Sequence, residues 1–280
     1  MLFIKSPAKI NLVLRVCRRR EDGYHDIVSV MCLVGLFDHI TLSFDTPTIT
    51  VQCSDPRVPE GPSNLAYKAA DLFMKKCGIS DGVGITIEKV IPVAAGLGGG
   101  SSNAASVLMG LNQRYDHRLT RDSLMSMALK LGVDVPFFIF GSPAKAIGLG
   151  NELTSFRGLP PFWVLLICPN FEVSTAWVYK NLKLTKNEIN YKYPTSIKTI
   201  SDLKQLLHND LEQVTLQEYP RLETIKKVLI DSGADGALMS GSGPTIFGIF
   251  DTLDKARSAY GSVSDQGEWD VFLAEPLLNP

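Results

Sequence analysis

Apolar and polar positions alternate near the amino end: residues 11–17 read N-L-V-L-R-V-C, the period of a half-buried strand. Residues 27–36, 40–44 and 48–53 carry similar patterns and predict further strands. The period then changes to that of a helix. Leu65, Ala69, Leu72 and Phe73 share one face, Ser63 precedes them as an N-cap, and Gly78 follows as a stop. Residues 84–90 predict a strand, and a helix runs through Ala104, Ala105, Leu108 and Leu111. Thr120 caps another helix, which ends near Gly132. Turn residues cluster at Arg157-Gly158-Leu159-Pro160-Pro161. Beyond them come a strand at 162–167, a helix from Ser174 or Thr175 to Leu182, and a polar stretch at 183–200 with no assignable role. Helical runs at 211–217 and 222–232, strand–loop–strand at 237–247, and a last helix and strand close the chain. The order predicts an α+β fold of two lobes, residues 1–157 and 158–280, with a cleft between them as the default site.

Composition narrows the function classes. Hydrophobic residues make up 45% of the 280 positions, charged ones 20%, and the formal net charge is -1. That is an ordinary globular profile with no field to attract nucleic acid or acidic membranes. Arg18, Arg19 and Arg20 form the one basic cluster, and Glu21 and Asp22 follow at once, so a solvated turn is expected there. The cysteines at 17, 32, 53, 77 and 168 are odd in number and lack a CxxC spacing. A disulfide framework or zinc site is not expected, and a reducing cytoplasm fits best. The first seven residues are too short and too soon interrupted for a signal peptide, and no apolar run is long enough for a bilayer. A monomer or weak homodimer in the cytoplasm is the expectation.

Chemistry enters at Pro92-Val93-Ala94-Ala95-Gly96-Leu97-Gly98-Gly99-Gly100-Ser101-Ser102, between a predicted strand and a predicted helix. Four glycines let backbone N–H groups approach an anion without Cβ interference. A helix starting near Ser101 adds unpaired N–H groups and a positive dipole end. Ser101 and Ser102 can cap that helix and offer hydroxyls to phosphate or Mg²⁺; the metal ligands themselves stay unassigned. A Walker loop would need lysine, which is absent, and GxGxxG started at Gly96 would need glycine where Ser101 stands. A plain turn needs only one or two glycines, so a phosphate group is the expected ligand. A kinase for a hydroxyl also needs a proton acceptor and charge neutralisation. Asp134, in L-G-V-D-V-P-F-F-I, is a carboxylate in apolar surroundings, although Asp followed by Val-Pro also fits a helix N-cap. Lys9, in S-P-A-K-I-N-L, is a candidate cation, and an exposed lysine at a strand end is the alternative.

Three separated motifs agree. Pro7-Ala8-Lys9-Ile10-Asn11-Leu12, the loop at 92–102, and Met239-Ser240-Gly241-Ser242-Gly243-Pro244-Thr245 resemble the three motifs of the GHMP kinases, over about residues 5–250. Asp22-Gly23-Tyr24-His25 and V-D-V-P-F-F around Asp134 resemble the branch of non-mevalonate isoprenoid synthesis, whose acceptor is a cytidine-diphosphate sugar alcohol. The resemblance implies a two-lobed fold and transfer of the ATP γ-phosphoryl to the acceptor's 2-hydroxyl. It implies that Lys9 and Asp134 are catalytic and that Asn11 contacts the acceptor. Tyr24 and His25 match the pair that stacks on and hydrogen-bonds to cytosine, and Tyr179 matches the second aromatic of that clamp. Lys145 aligns with a residue lining the same pocket through its backbone, and Asn64 falls where the family contacts the nucleotide. Another GHMP kinase, of the homoserine or mevalonate type, and a non-catalytic nucleotide or metabolite sensor are the alternatives.

Overall fold

The alternation at 11–17 belongs to a much longer strand, β1 (Leu2–Arg19), which turns through residues 20–24 into β2 (His25–Ser43). The computed structural model describes residues 1–44, 46–184 and 197–278. β2 merges the strands expected at 27–36 and 40–44. The acid that breaks the apolar pattern between them, Asp38, has no exposed surface and stays within the strand because its carboxylate is fully hydrogen-bonded. There follow β3 (Thr50–Cys53), α1 (Leu65–Cys77), β4 (Gly84–Glu88), α2 (Gly99–Arg114), α3 (Arg121–Leu131) and α4 (Val135–Phe140). Next are β5 (Ala144–Gly148), β6 (Glu152–Ser155), β7 (Trp163–Cys168), α5 (Thr175–Asn181), α6 (Ile200–Leu206) and β8 (His208–Asn209). The chain closes with α7 (Glu212–Glu218), α8 (Arg221–Asp231), β9 (Gly236–Met239), β10 (Ile246–Phe250), α9 (Leu253–Ser264) and β11 (Asp270–Ala274).

The elements form two compact units that interleave in sequence. The first contains Met1–Ala8, Leu36–Val93 and Gly98–Gly141. Here the end of β2 pairs antiparallel with β4, Ile40 opposite Ile87 and Leu42 opposite Ile85, and β3 pairs parallel with β4. α2 packs against α1, α3 and α4. Phe73, Leu108, Leu111 and Phe137 are fully buried in this unit. Gly110 lets α2 settle onto the strands, since a Cβ there would press on Ile4, Leu42 and Leu2.

The second unit contains Lys9–Gly35, Ala94–Leu97 and Ser142–Pro280. The start of β2 pairs antiparallel with β5, Val28 opposite Ile147 and Val30 opposite Lys145, and β5 pairs with β6. β1 pairs parallel with β8, Val13 opposite His208. A separate antiparallel sheet runs β11-β7-β10-β9. β7 and β10 are apolar along almost their whole length, and every residue of β10 is buried. Leu222, Ile225 and Leu229 of α8 and Ala256, Ala259 and Val263 of α9 belong to the core beside that sheet.

Several expectations move. The N-cap of α1 is Asn64 rather than Ser63, its side chain accepting from the Ala66 N–H. Gly78 ends that helix with φ 64°, the left-handed conformation glycine favours. Thr120 and Ser174 cap α3 and α5 as expected. β5, β6, α6 and β8 are additions to the sequence reading. Most of the polar stretch at 183–200, residues 185–196, lies outside the described residues.

Candidate active site

The three motifs meet within the second unit. Residues 94–97 of the glycine loop are held from both sides. Lys9 donates its backbone N–H to the Leu97 carbonyl at 2.9 Å, Ser240 Oγ donates to the Gly96 carbonyl at 3.0 Å, and the Thr245 N–H reaches the Ala95 carbonyl at 3.4 Å. Gly96 has φ 78°, and a Cβ on it would collide with the Ser240 carbonyl oxygen. Gly241, at φ 58°, lies against Lys9: a Cβ there would stand 3.3 Å from the ammonium. Ala94 also takes a positive φ, 54°, which a non-glycine residue adopts at a steric cost.

Lys9 itself is 4% exposed and lies inside β1, which corrects the strand-end alternative. Its Nζ donates to Asn11 Oδ1 at 2.6 Å; Asn11 Nδ2 donates to Ser29 Oγ at 2.9 Å, and Ser29 Oγ donates to the Val13 carbonyl at 2.6 Å. Residues two apart on a strand share a face, so Lys9 and Asn11 point the same way. The chain of bonds fixes the ammonium in place and compensates part of its desolvation.

The loop's far end belongs to the first unit. α2 starts at Gly99, two residues earlier than expected, with Gly98 at the N-cap and no side-chain capping bond. Ser101 and Ser102 are therefore not caps. Ser101 is half-buried in the first turn, and Ser102 is fully buried and turned inward, where its Oγ accepts from Ser6 Oγ at 2.7 Å. No acidic residue stands in that turn. First-turn N–H groups without a capping side chain suit an anion. Pro92 and Val93, at the loop's start, are half-buried. Asn64 is committed at both ends of its amide, Oδ1 to the Ala66 N–H and Nδ2 to the Pro59 carbonyl at 2.7 Å.

Asp134 is half-buried at the N-cap position of α4, with Pro136 in the first turn. Its side chain makes no capping bond, so it occupies a cap position without acting as a cap.

Tyr24 ends the turn between β1 and β2 and is 61% exposed. His25 opens β2, and its ring lies 5.1 Å from that of Tyr179 on α5, tilted by 31°. Burial, and secondarily the charge of Arg19, lowers the His25 pKa and favours the neutral ring. Lys145 lies opposite Val30 on the strand beside this region. α5 is also tied to the third motif, Thr175 Oγ1 standing 2.7 Å from Ser242 Oγ.

Sequence reasoning passed over two groups of supporting residues. Asp38, Lys89, Asn103 and Ser6 form a buried network in the first unit. Asn209, on β8, donates its amide to the Met239 and Gly241 carbonyls, each at 2.8 Å, and so shapes the third motif. An acid set between two apolar runs, beside His39, was the available signal for Asp38. Among the described residues no group of three or more His, Cys, Asp or Glu could hold a metal ion, and no helix is long and apolar enough to cross a membrane.

Comparison with known proteins places the chain in a family. The GHMP kinases N terminal domain family matches residues 64–142, and the GHMP kinases C terminal family matches residues 195–268. The 4-diphosphocytidyl-2-C-methyl-D-erythritol kinase of Syntrophotalea carbinolica is 50% identical over 97% of this chain and 98% of its own. The enzyme of that name from Geobacter metallireducens is 45% identical over 99% of both chains. A crystal structure of 4-(cytidine 5'-diphospho)-2C-methyl-D-erythritol kinase superposes with a TM-score of 0.82 at 33% identity, covering 98% of this chain and 99% of that one. With near-complete coverage at such identity, and with its three motifs gathered around Lys9 and residues 94–97, the chain belongs to the GHMP kinases and, among them, to the 4-diphosphocytidyl-2-C-methyl-D-erythritol kinase family.

Proposed function

We propose that this chain transfers the γ-phosphoryl group of ATP to the 2-hydroxyl of 4-diphosphocytidyl-2-C-methyl-D-erythritol, a step of non-mevalonate isoprenoid precursor synthesis. The observation that carries the reading is the buried ammonium of Lys9, fixed by Asn11 and bordered by Gly241, on the strand that holds the glycine loop at Leu97. An immobilised cation beside a phosphate loop suits phosphoryl transfer, where positioning and charge neutralisation carry most of the catalysis.

Residues 92–102 cradle the ATP phosphates, with the first turn of α2 facing them and Asn64 supporting the nucleotide side. The acceptor oxygen bonds to the γ-phosphorus, the bond from that phosphorus to the β–γ bridging oxygen breaks, and ADP departs. Asp134 takes the hydroxyl proton, and Lys9 polarises the hydroxyl and offsets charge on the transferring group. Asn11 orients the acceptor, and Tyr24, His25 and Tyr179 hold the cytosine, with Lys145 lining that pocket through its backbone. A ring pair at 5.1 Å offers a flat face and a hydrogen-bonding edge, which a cytosine uses and a small hydroxy acid does not. Mg²⁺ bound with the nucleotide would supply further charge neutralisation; of the two loop serines Ser101 would be the one to meet it, since the Ser102 hydroxyl is bonded to Ser6.

ATP consumption with the cytidine-diphosphate methylerythritol, homoserine, mevalonate and galactose as acceptors tests the substrate. Turnover is expected with the first alone, and preference for any other would overturn the assignment. Asp134→Asn and Lys9→Ala should each abolish turnover while ATP still binds; near-normal turnover in Asp134→Asn would remove it as the base. A non-catalytic sensor would bind ATP and consume none.

A further inference from the structure

Asp38 lies far from every motif in sequence, yet its carboxylate binds both ends of the glycine loop. It is fully buried. Oδ1 accepts from the backbone N–H groups of Val90 at 2.8 Å and Ile91 at 2.9 Å. Oδ2 accepts from Asn103 Nδ2 at 2.9 Å and forms an ion pair with Lys89 Nζ. Lys89, Val90 and Ile91 immediately precede Pro92, and Asn103 immediately follows Ser102. Four donors fill the acceptor capacity of one carboxylate, and each comes from a residue flanking the loop.

We infer that Asp38 is a positioning residue for the nucleotide: it clamps the entry and exit of the phosphate loop and so presets the loop for ATP. Asp38 can have this role only if residues 92–102 hold ATP phosphates, as proposed above. The clamp reaches the helix start as well. A Cβ on Gly99 would stand 3.0 Å from Lys89 Nζ, so the paired ammonium lies directly under the first residue of α2. Asn103 Nδ2 also donates to Ser6 Oγ at 3.0 Å, and Ser6 Oγ donates to Ser102 Oγ, so the last loop residue is tied to the same network. A loop whose ends are fixed before binding loses less freedom on binding. Replacing Oδ2 with an amide NH2 leaves Oδ1 to accept from Val90 and Ile91 but sets a donor against Asn103 Nδ2 and Lys89 Nζ, so the Asn103 amide and the Lys89 ammonium are released together.

An ordinary buried ion pair would matter for stability alone; a clamp on the loop would matter for one substrate and not the other. In the full chain, Asp38→Asn keeps the shape and removes the charge. We expect its KM for ATP to rise at least about tenfold while the acceptor KM changes by less than about twofold, with a native circular dichroism spectrum. Without nucleotide, amide exchange across residues 89–103 should quicken in the variant, and saturating ATP should restore part of the protection. A folded Asp38→Asn with an unchanged ATP KM would overturn the inference, as would an equal rise in both KM values. Should that variant not fold, Asp38→Glu keeps the charge and displaces it by one methylene. An ATP-selective rise supports the clamp there too, and an unchanged or unselective KM sinks it. If the unsubstituted protein neither binds nor consumes ATP, the phosphate-loop reading itself falls, and that outcome is read before any variant is made.

Discussion

Lys9 is where the sequence pattern and the structure diverge most usefully. Ser6, Lys9 and Asn11 are all polar, and all are buried at 0–4% exposure. A periodicity argument sends polar side chains outward, so these inward-facing ones shorten the visible strand and make the lysine look like its exposed end. What marks them is chemistry: each is bonded to another polar group in the interior, and such groups are kept where a site requires them. His25 leads to a prediction at the same scale. Burial and Arg19 lower its pKa, so the folded chain holds the neutral imidazole more readily than the unfolded chain does. The sign follows: below the unfolded value of about 6.5, the unfolded state takes the proton first, and this contribution to stability drains away as pH falls toward the lower folded value. If the neutral ring contacts cytosine, the acceptor KM should rise over the same acid range, and His25→Gln should flatten that rise. Comparing the two KM–pH profiles checks it; parallel profiles would detach His25 from the acceptor.

Some elements were legible from a local device, although the Thr199–Asp202 capping box that opens α6 was passed over. Gly78, Thr120 and Ser174 each mark a helix boundary in the sequence and in the structure. Ser63 missed by one position because Asn64 caps as well as serine does and its amide makes a second bond to Pro59. β5 and β6 are short, and β5 ends in glycine, so neither offers enough alternation to be read. The start of α2 was misplaced because Gly99 and Gly100 look like loop; their helical conformation comes from what surrounds them rather than from propensity. Gly96 shows the same dependence on context. Its need for glycine arises from the third motif, 144 positions away, whose Ser240 carbonyl occupies the space a Cβ would take. Gly96→Ala should therefore cost about 2 kcal/mol or more, from the positive φ and the backbone collision together. Turnover should fall along with stability, because relieving the collision moves residues 94–97 away from Lys9. Urea unfolding and ATP turnover on the same preparation test this; a variant with normal stability and normal turnover would show that the loop adapts freely.

At the scale of the whole chain, function depends on segments that are remote in sequence and cross between the units' membership. β1 contributes Met1–Ala8 to the first unit and passes to the second at Lys9, and the glycine loop contributes Ala94–Leu97 to the second and the residues on either side to the first. No stretch of local pattern announces such an arrangement, and the three motifs point to the family through their combination, which is far more specific than any one of them. Binding that ligand should be visible in global stability. A nucleotide that binds only the native state stabilises it by about 2.7 kcal/mol at one hundred times its dissociation constant. For a chain of this length that corresponds to a rise in Tm of roughly 4–5 °C. The unsubstituted protein should show this shift with a non-hydrolysable ATP analogue. Lys9→Ala should retain most of it, because the loop's backbone groups and the start of α2 remain. Gly96→Ala should lose most of it, because the loop itself is displaced. Differential scanning calorimetry with and without the analogue separates the two variants: an equal shift in both would mean that the nucleotide is held elsewhere than on residues 92–102, and the assignment of the phosphate loop would have to be given up.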